Sequence, residues 1–204
     1  MIKRSQYSTK KQHLHKQNSK SVGQIRIIGG QHRGRKLPVH QLEGLRPTTD
    51  RVKETLFNWI QFDIRGAHCL DLFAGSGSLG FEALSRFAQK VTFVEKDKMI
   101  VEQLTTNVAT LKIDNAKVVH QDALCFLDSS SQQFDIVFLD PPFRKNLLPS
   151  VIHKLEQQHL LAANALIYVE SEREFQLSTI PSNWHLDKEK TAGQVTYRLF
   201  RKGE

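Results

Sequence analysis

The chain has 204 residues, 39% hydrophobic and 25% charged, with two cysteines and a formal net charge of +8. That length sustains one ordinary domain with a small appendage, and the composition is that of a globular protein in water rather than a fibrous, disordered or disulfide-stapled one. No apolar run is long enough to cross a bilayer, and none follows the basic N-terminus as in a secretory signal. A cytoplasmic protein is therefore expected, with no membrane partner, no metal site and Cys69 and Cys125 both buried.

The charge is unevenly placed. Residues 1–42 hold ten Lys or Arg and no Asp or Glu, which leaves 19 basic and 21 acidic residues for the rest. A polycation is thus attached to a near-neutral body, and clustered cations favour a nucleic-acid partner through counterion release. Residues 1–22 lack apolar periodicity and read as a disordered tail, for which a solubilising role is the plain alternative. Residues 25–28 then read as a strand, 29–34 as a turn and 35–37 as a returning strand. After Pro47, any of Thr48, Thr49 and Asp50 can cap a helix, whose apolar face is Val52, Leu56, Trp59 and Ile60.

From there strands and helices alternate. Strands are expected at 67–73, 90–95, 117–120, 134–140 and 165–170, with helices at 80–87, 98–111 and 149–161 between them. Two last β segments, 184–189 and 195–201, flank Thr191-Ala192-Gly193, which reads as a hairpin turn. The pattern is α/β: a mostly parallel, doubly wound sheet with a closing antiparallel edge. Three units are expected: the tail at 1–22, a hairpin-and-helix extension at 23–64, and the α/β body at 65–204.

The chemistry-bearing motifs sit at strand ends. Asp71-Leu72-Phe73-Ala74-Gly75-Ser76-Gly77-Ser78-Leu79-Gly80 joins the first body strand to its helix. Its Gly75, Gly77 and Gly80 fit G-x-G-x-x-G, permitting a tight turn, close ligand approach and close helix packing. Glu95 ends the next strand, about 20 residues after Gly75, where an acid grips ribose hydroxyls. These features fit a nicotinamide dinucleotide or S-adenosylmethionine. Asp71 favours the second, because a carboxylate repels a pyrophosphate and attracts a sulfonium and an ammonium; a loop-bonding role is its plain alternative. Asp122-Ala123 either approaches an adenine amino group or simply caps the short helix 123–127.

Asp140-Pro141-Pro142-Phe143 ends the fourth strand, which in this sheet class flanks the ligand crevice beside the first. Two prolines fix the backbone, remove N–H donors and leave carbonyl acceptors. An exocyclic amino group on a base, its lone pair delocalised into the ring, needs such acceptors. Asp140 and the Pro141 carbonyl can supply two, and Phe143 can stack on the base.

With these motifs the chain resembles the class I methyltransferases that carry a D-P-P-F or N-P-P-Y motif. More narrowly it resembles the RsmD-type 16S ribosomal RNA guanine-N2 methyltransferases. The narrower likeness rests on Arg26-Ile27-Ile28-Gly29-Gly30 with Arg33-Gly34-Arg35, on Arg46-Pro47-Thr48-Thr49-Asp50-Arg51 running into Glu54-Thr55-Leu56-Phe57-Asn58, and on the two strand-end motifs. The resemblance implies a Rossmann-like fold with a seven-stranded sheet, and S-adenosyl-L-methionine held by Asp71, Phe73, Gly75, Gly77, Glu95, Asp122 and Ala123. It implies a guanine held by Asp140, Pro141, Pro142 and Phe143. The implied partner is small-subunit ribosomal RNA in a partly or fully assembled 30S particle, met by a monomer. Arg26, Arg33, Arg35, Lys36, Arg46 and Arg51 are the expected phosphate contacts, with solvated surface charge as the alternative for each. A DNA or RNA adenine or cytosine amino-methyltransferase, a nicotinamide-dependent oxidoreductase and a non-catalytic RNA-binding module are the rivals.

Overall fold

The computed structural model describes residues 23–40 and 49–203. The expected tail and Arg46 lie outside the described residues.

The chain enters through a two-stranded antiparallel hairpin, β1 (Gly23–Arg26) and β2 (Lys36–Val39), with Gly23 opposite Val39. Helix α1 (Asp50–Trp59) follows. Among the three expected capping residues it is Thr49 that takes the position, its hydroxyl accepting from Val52 N–H at 3.4 Å. Leu56, Phe57 and Ile60 are fully buried on its inner face. So is Lys53, whose ammonium reaches the Arg26 carbonyl and lies 3.3 Å from Asp50. A buried charge is tolerated only with such partners. The lysine therefore fastens helix to hairpin.

The body holds β3 (His68–Asp71), α2 (Ser78–Ser85), β4 (Lys90–Glu95), α3 (Lys98–Leu111), β5 (Ala116–His120), α4 (Ala123–Ser129), β6 (Phe134–Leu139), α5 (Leu148–Gln157), β7 (Leu161–Glu172), β8 (Trp184–Ala192) and β9 (Val195–Lys202). The sheet order is β5-β4-β3-β6-β7-β9-β8. The first five strands in that order are parallel, and β9 runs antiparallel to both β7 and β8. This is the doubly wound architecture with a closing hairpin that the alternating pattern implies. The chain winds outward from β3 through β4 to β5, then returns to β6 on the other side of β3. The crevice at that reversal opens above β3 and β6.

Apolar side chains fill both faces of the sheet. One layer holds α1, α2 and α3 and includes Ile25, Ile27, Leu37 and Val39 of the hairpin; the other holds α4 and α5. The hairpin is therefore packed into the same core as the body. Ser85 accepts from His32 N–H and donates to the Gly29 carbonyl, while Asn107 on α3 donates to the Pro38 carbonyl at 3.0 Å.

Three local expectations are corrected. Helix α5 stops at Gln157, not Leu161, because His159 takes a left-handed backbone (φ 53°) and Leu160 N–H turns back to the Leu155 carbonyl. No glycine marks that stop. Strand β7 starts four residues before the expected 165, pairing Leu161 with Phe134 and absorbing an irregularity at left-handed Asn164 (φ 61°). Cys125 is exposed: once Asp122 caps α4, Ala123, Phe126 and Leu127 face the core and residue 125 faces out. Cys69 is buried as expected.

Candidate active site

Two corners open side by side. Asp71, at the end of β3, pairs in register with Phe138 of β6, so the glycine turn after Asp71 and the double-proline corner after Leu139 leave the sheet from adjacent strand ends. Nothing but the strand order forces this, and it brings two motifs 69 residues apart in sequence to one crevice.

The glycine turn is built for tight backbone. Gly75 and Gly77 take φ of 48° and 74°, which side-chain-bearing residues rarely adopt. A Cβ on Gly77 would strike Leu104 and Phe81, and one on Gly80 would enter the Phe93 ring. Gly80 thus serves the expected helix packing. On the side where a Cβ would sit, Gly77 is pressed by the protein's own core. Val39, the last residue of β2, and His40 after it line a small cavity with Gly75 and Ser76. The hairpin therefore reaches the turn, a contact that the sequence reading missed.

Asp71 is buried, and its carboxylate accepts from Gly80 N–H at 3.0 Å. That is the loop-bonding role. Burial pushes its pKa up to about 7, the Gly80 hydrogen bond opposes, and nearby Glu95 adds to the rise. The folded chain holds a proton on Asp71 that the unfolded chain has released, so this group lowers stability as pH rises from about 4 to about 7. Asp71→Asn keeps an oxygen for Gly80 N–H and removes the titration. Its gain in thermal midpoint over the parent should be larger at pH 8 than at pH 5; an equal difference at the two would contradict this.

Glu95 ends β4 and ties three backbone N–H groups together: Gly75 at 3.0 Å, Lys96 at 2.8 Å and Asp97 at 2.9 Å. A carboxylate has about four lone-pair sites, so acceptor capacity remains on this half-buried side chain. Glu95→Ala should weaken cofactor binding about tenfold in calorimetry, through loss of the anchor of the glycine turn and of the spare acceptor expected to meet the ribose. Unchanged affinity would remove it from the site.

Asp122 is the N-cap of α4, accepting from Leu124 N–H at 2.9 Å, with Ala123 buried beneath it. The capping alternative therefore accounts for its position. Phe73 is half-buried and leans on the second core layer.

At the second corner Pro141 is buried, Pro142 exposed, and Asp140 and Phe143 half-buried. Asp140 belongs to a group of carboxylates that the sequence reading did not assemble. Loss of hydration, then Glu170 of β7, then Asp71 hold its carboxyl well above the usual range. Glu170 is itself buried and accepts from the Tyr168 hydroxyl at 2.8 Å. Three neighbouring strand ends thus present Asp71, Asp140 and Glu170. The signal available in sequence was Tyr168-Val169-Glu170 at the end of an apolar strand, which reads simply as the end of that strand.

Of the expected phosphate contacts, Arg51 stands close enough to Tyr197 to act on its hydroxyl, beside Glu170, while the hairpin cations lie elsewhere. Arg26 is paired with Asp50, at 2.6 Å. Arg33, Arg35 and Lys36 are exposed around the hairpin turn, which docks through Gln31 and His32 on Ser85, at the C-terminal end of α2. The glycine turn is at the other end of that eight-residue helix, about 12 Å away at 1.5 Å per residue. Arg51 is exposed in the first turn of α1.

Among the described residues the neighbouring strand ends bring Asp71, Asp140 and Glu170 to the sheet reversal, and such carboxylates suit a sulfonium and an ammonium better than a pyrophosphate. Fold and site together define the class: an S-adenosylmethionine-dependent class I methyltransferase. A family model described as Conserved hypothetical protein 95 matches residues 25–201. Ribosomal RNA small subunit methyltransferase D of Escherichia coli K12 is 57% identical over 93% of this chain and 96% of its own length, and the Haemophilus influenzae protein of that name is 56% identical over 91% and 97%. A solved structure described as putative methyltransferase yhhF from Escherichia coli superposes with a TM-score of 0.82 at 57% identity, covering 89% of this chain and 99% of that one. The chain belongs to the RsmD family, that of the small-subunit ribosomal RNA methyltransferases D.

Proposed function

We propose that this protein methylates the exocyclic N2 amino group of one guanine in small-subunit ribosomal RNA, as part of a partly or fully assembled 30S particle. The observation that carries the reading is the juxtaposition of the glycine turn and the Asp140-Pro141-Pro142-Phe143 corner on adjacent strand ends. The names of the relatives supply the RNA.

S-adenosylmethionine, when bound, supplies an electrophilic methyl group on a cationic sulfur. Asp71 to Gly77, Glu95, and Asp122 with Ala123 are the proposed holders of its methionyl, ribose and adenine parts. The protein's own task is alignment and a matching polar environment. The Pro141 carbonyl and the Asp140 carboxyl accept the two N–H bonds of the amino group, which orients its nitrogen lone pair. Phe143 supports the base from its face. As the nitrogen becomes cationic, Asp140 in its carboxylate form takes the proton or passes it to water, and its raised proton affinity makes that carboxylate the stronger base. The target base must leave its stack to enter the crevice.

Residues 23–64 are the proposed RNA-facing extension. Given where the hairpin turn docks, Arg33, Arg35 and Lys36 would meet phosphates about a helix length from the methylated base, so the RNA would span the face over α2. Deleting residues 1–42 would break the core that the hairpin shares, so the informative change is Arg33, Arg35 and Lys36 together to Gln. Loss of three phosphate contacts should flatten the log–log salt slope of RNA binding by about 2 to 3. An unaltered slope would return these three residues to the role of solvated surface charge.

The direct test combines purified protein, small-subunit particles and tritiated-methyl donor, followed by nucleoside chromatography. Label is expected in N2-methylguanosine. Label in N6-methyladenosine or a methylated cytosine would favour the related amino-methylating reading instead.

A further inference from the structure

Beside the double-proline corner lies a cavity of about 830 Å3 that the mechanism above does not use. Three segments wall it. The first follows β6 and brings Phe143, Arg144 and Asn146; Arg144 and Asn146 take left-handed backbone, φ 61° and 49°. The second is the stretch after β7, with Glu172, Phe175 and Gln176, and the third is Gln194 in the β8–β9 turn. The walls are tied to one another. The Glu172 carboxylate accepts from Arg144 N–H, Arg173 N–H donates to the Gln194 carbonyl at 3.1 Å, and Phe175 N–H donates to the Glu172 carbonyl at 3.1 Å. Phe175 is further braced against the core. This is a preformed recess of ligand size.

Its chemistry selects the occupant. Two phenyl faces offer stacking, and the amides of Asn146, Gln176 and Gln194 each carry donors and an acceptor, as the edges of bases require. A single guanidinium is outnumbered by the carboxylates of Glu172 and Glu174, so the recess is a poor track for phosphates. It suits a base better than a backbone. Phe143 belongs to both this recess and the guanine corner, so their occupants would be neighbours in one strand.

We infer that this recess receives the unstacked base of a nucleotide flanking the methylated guanine, with Phe175 as its stacking platform and Gln176 and Gln194 as readers of its edge. The inference rests on the proposed guanine methylation and adds a sequence-reading subsite to it.

The test uses full-length protein and particles assembled from small-subunit RNA transcripts that carry each of the four bases at either position flanking the target. The parent protein should show kcat/KM that varies about tenfold with the base on one side. Phe175→Ala should lose about tenfold on the best transcript, and Gln194→Ala or the exposed Gln176→Ala should flatten the base profile. Cofactor affinity should stay unchanged in all three, which separates base reading from a general structural loss. A parent indifferent to both flanks, or glutamine variants that keep its full profile, would overturn the subsite and leave guanine methylation standing. A parent that methylates none of the transcripts would sink the guanine reading and the subsite with it.

Discussion

Replacing Asp140 by alanine should slow methyl transfer by about a thousandfold while changing cofactor affinity only a few-fold. The expectation follows from position. Asp140 follows β6 directly at the sheet reversal, and the two prolines after it remove the N–H groups that could otherwise compete for the incoming amine. Desolvation, Glu170 and Asp71 all raise its proton affinity, which weakens it as a resting anion and strengthens it as an acceptor when the attacking nitrogen must shed a proton. Alanine removes an acceptor and a proton site at once. The cofactor holders proposed on β3 and β4 are untouched, so the loss should fall on kcat. Near-normal turnover, or a loss confined to cofactor affinity, would take Asp140 out of the chemistry.

The second large effect concerns stability. Glu82 on α2 is completely buried; it accepts from Ile28 N–H at 2.8 Å and from Arg86 at 2.8 Å. Glu82→Ala would leave a buried N–H unpaired, strip the guanidinium of its partner and open a cavity. Breaking a buried pair in this way costs about 3 to 5 kcal/mol. For a chain of this size that is a fall in thermal midpoint of roughly 10 °C. Glu82→Gln keeps one acceptor and should lose clearly less. The effect should reach the site, because α2 carries the glycine turn at its N-terminal end and Glu82, with Ser85, links that helix to the hairpin. A midpoint within two or three degrees of the parent would show that Glu82 is not a main fastener of the hairpin.

Most of the architecture was legible in the sequence for an identifiable reason. Strand-helix alternation reports burial periodicity, and the glycine turn, Glu95 and the double-proline corner occupy strand ends, where a doubly wound sheet exposes its chemistry. What escaped had no local signal. His159 ends α5 in a left-handed turn that the sequence would mark only with glycine or asparagine. Lys53 and Glu82 read as ordinary helical charges; only the docked hairpin shows them to be buried fasteners. The cluster of Asp71, Asp140 and Glu170 spans three strands and exists only once the strand order is known. Charge count grouped Arg26 with Arg33 and Arg35, whereas the fold commits Arg26 to Asp50 and carries the other two toward the far end of α2. Composition counts charges without placing them.

The central claim is that the two adjacent corners together hand a methyl group to a guanine amine in small-subunit RNA. The measurement closest to it is mass-spectrometric mapping of that RNA from cells with and without this gene. The account predicts that one N2-methylguanosine disappears on deletion, returns with the parent protein and fails to return with Asp140→Ala. An unchanged set of N2-methylguanosines, or the loss of a methylated adenine or cytosine in its place, would contradict it.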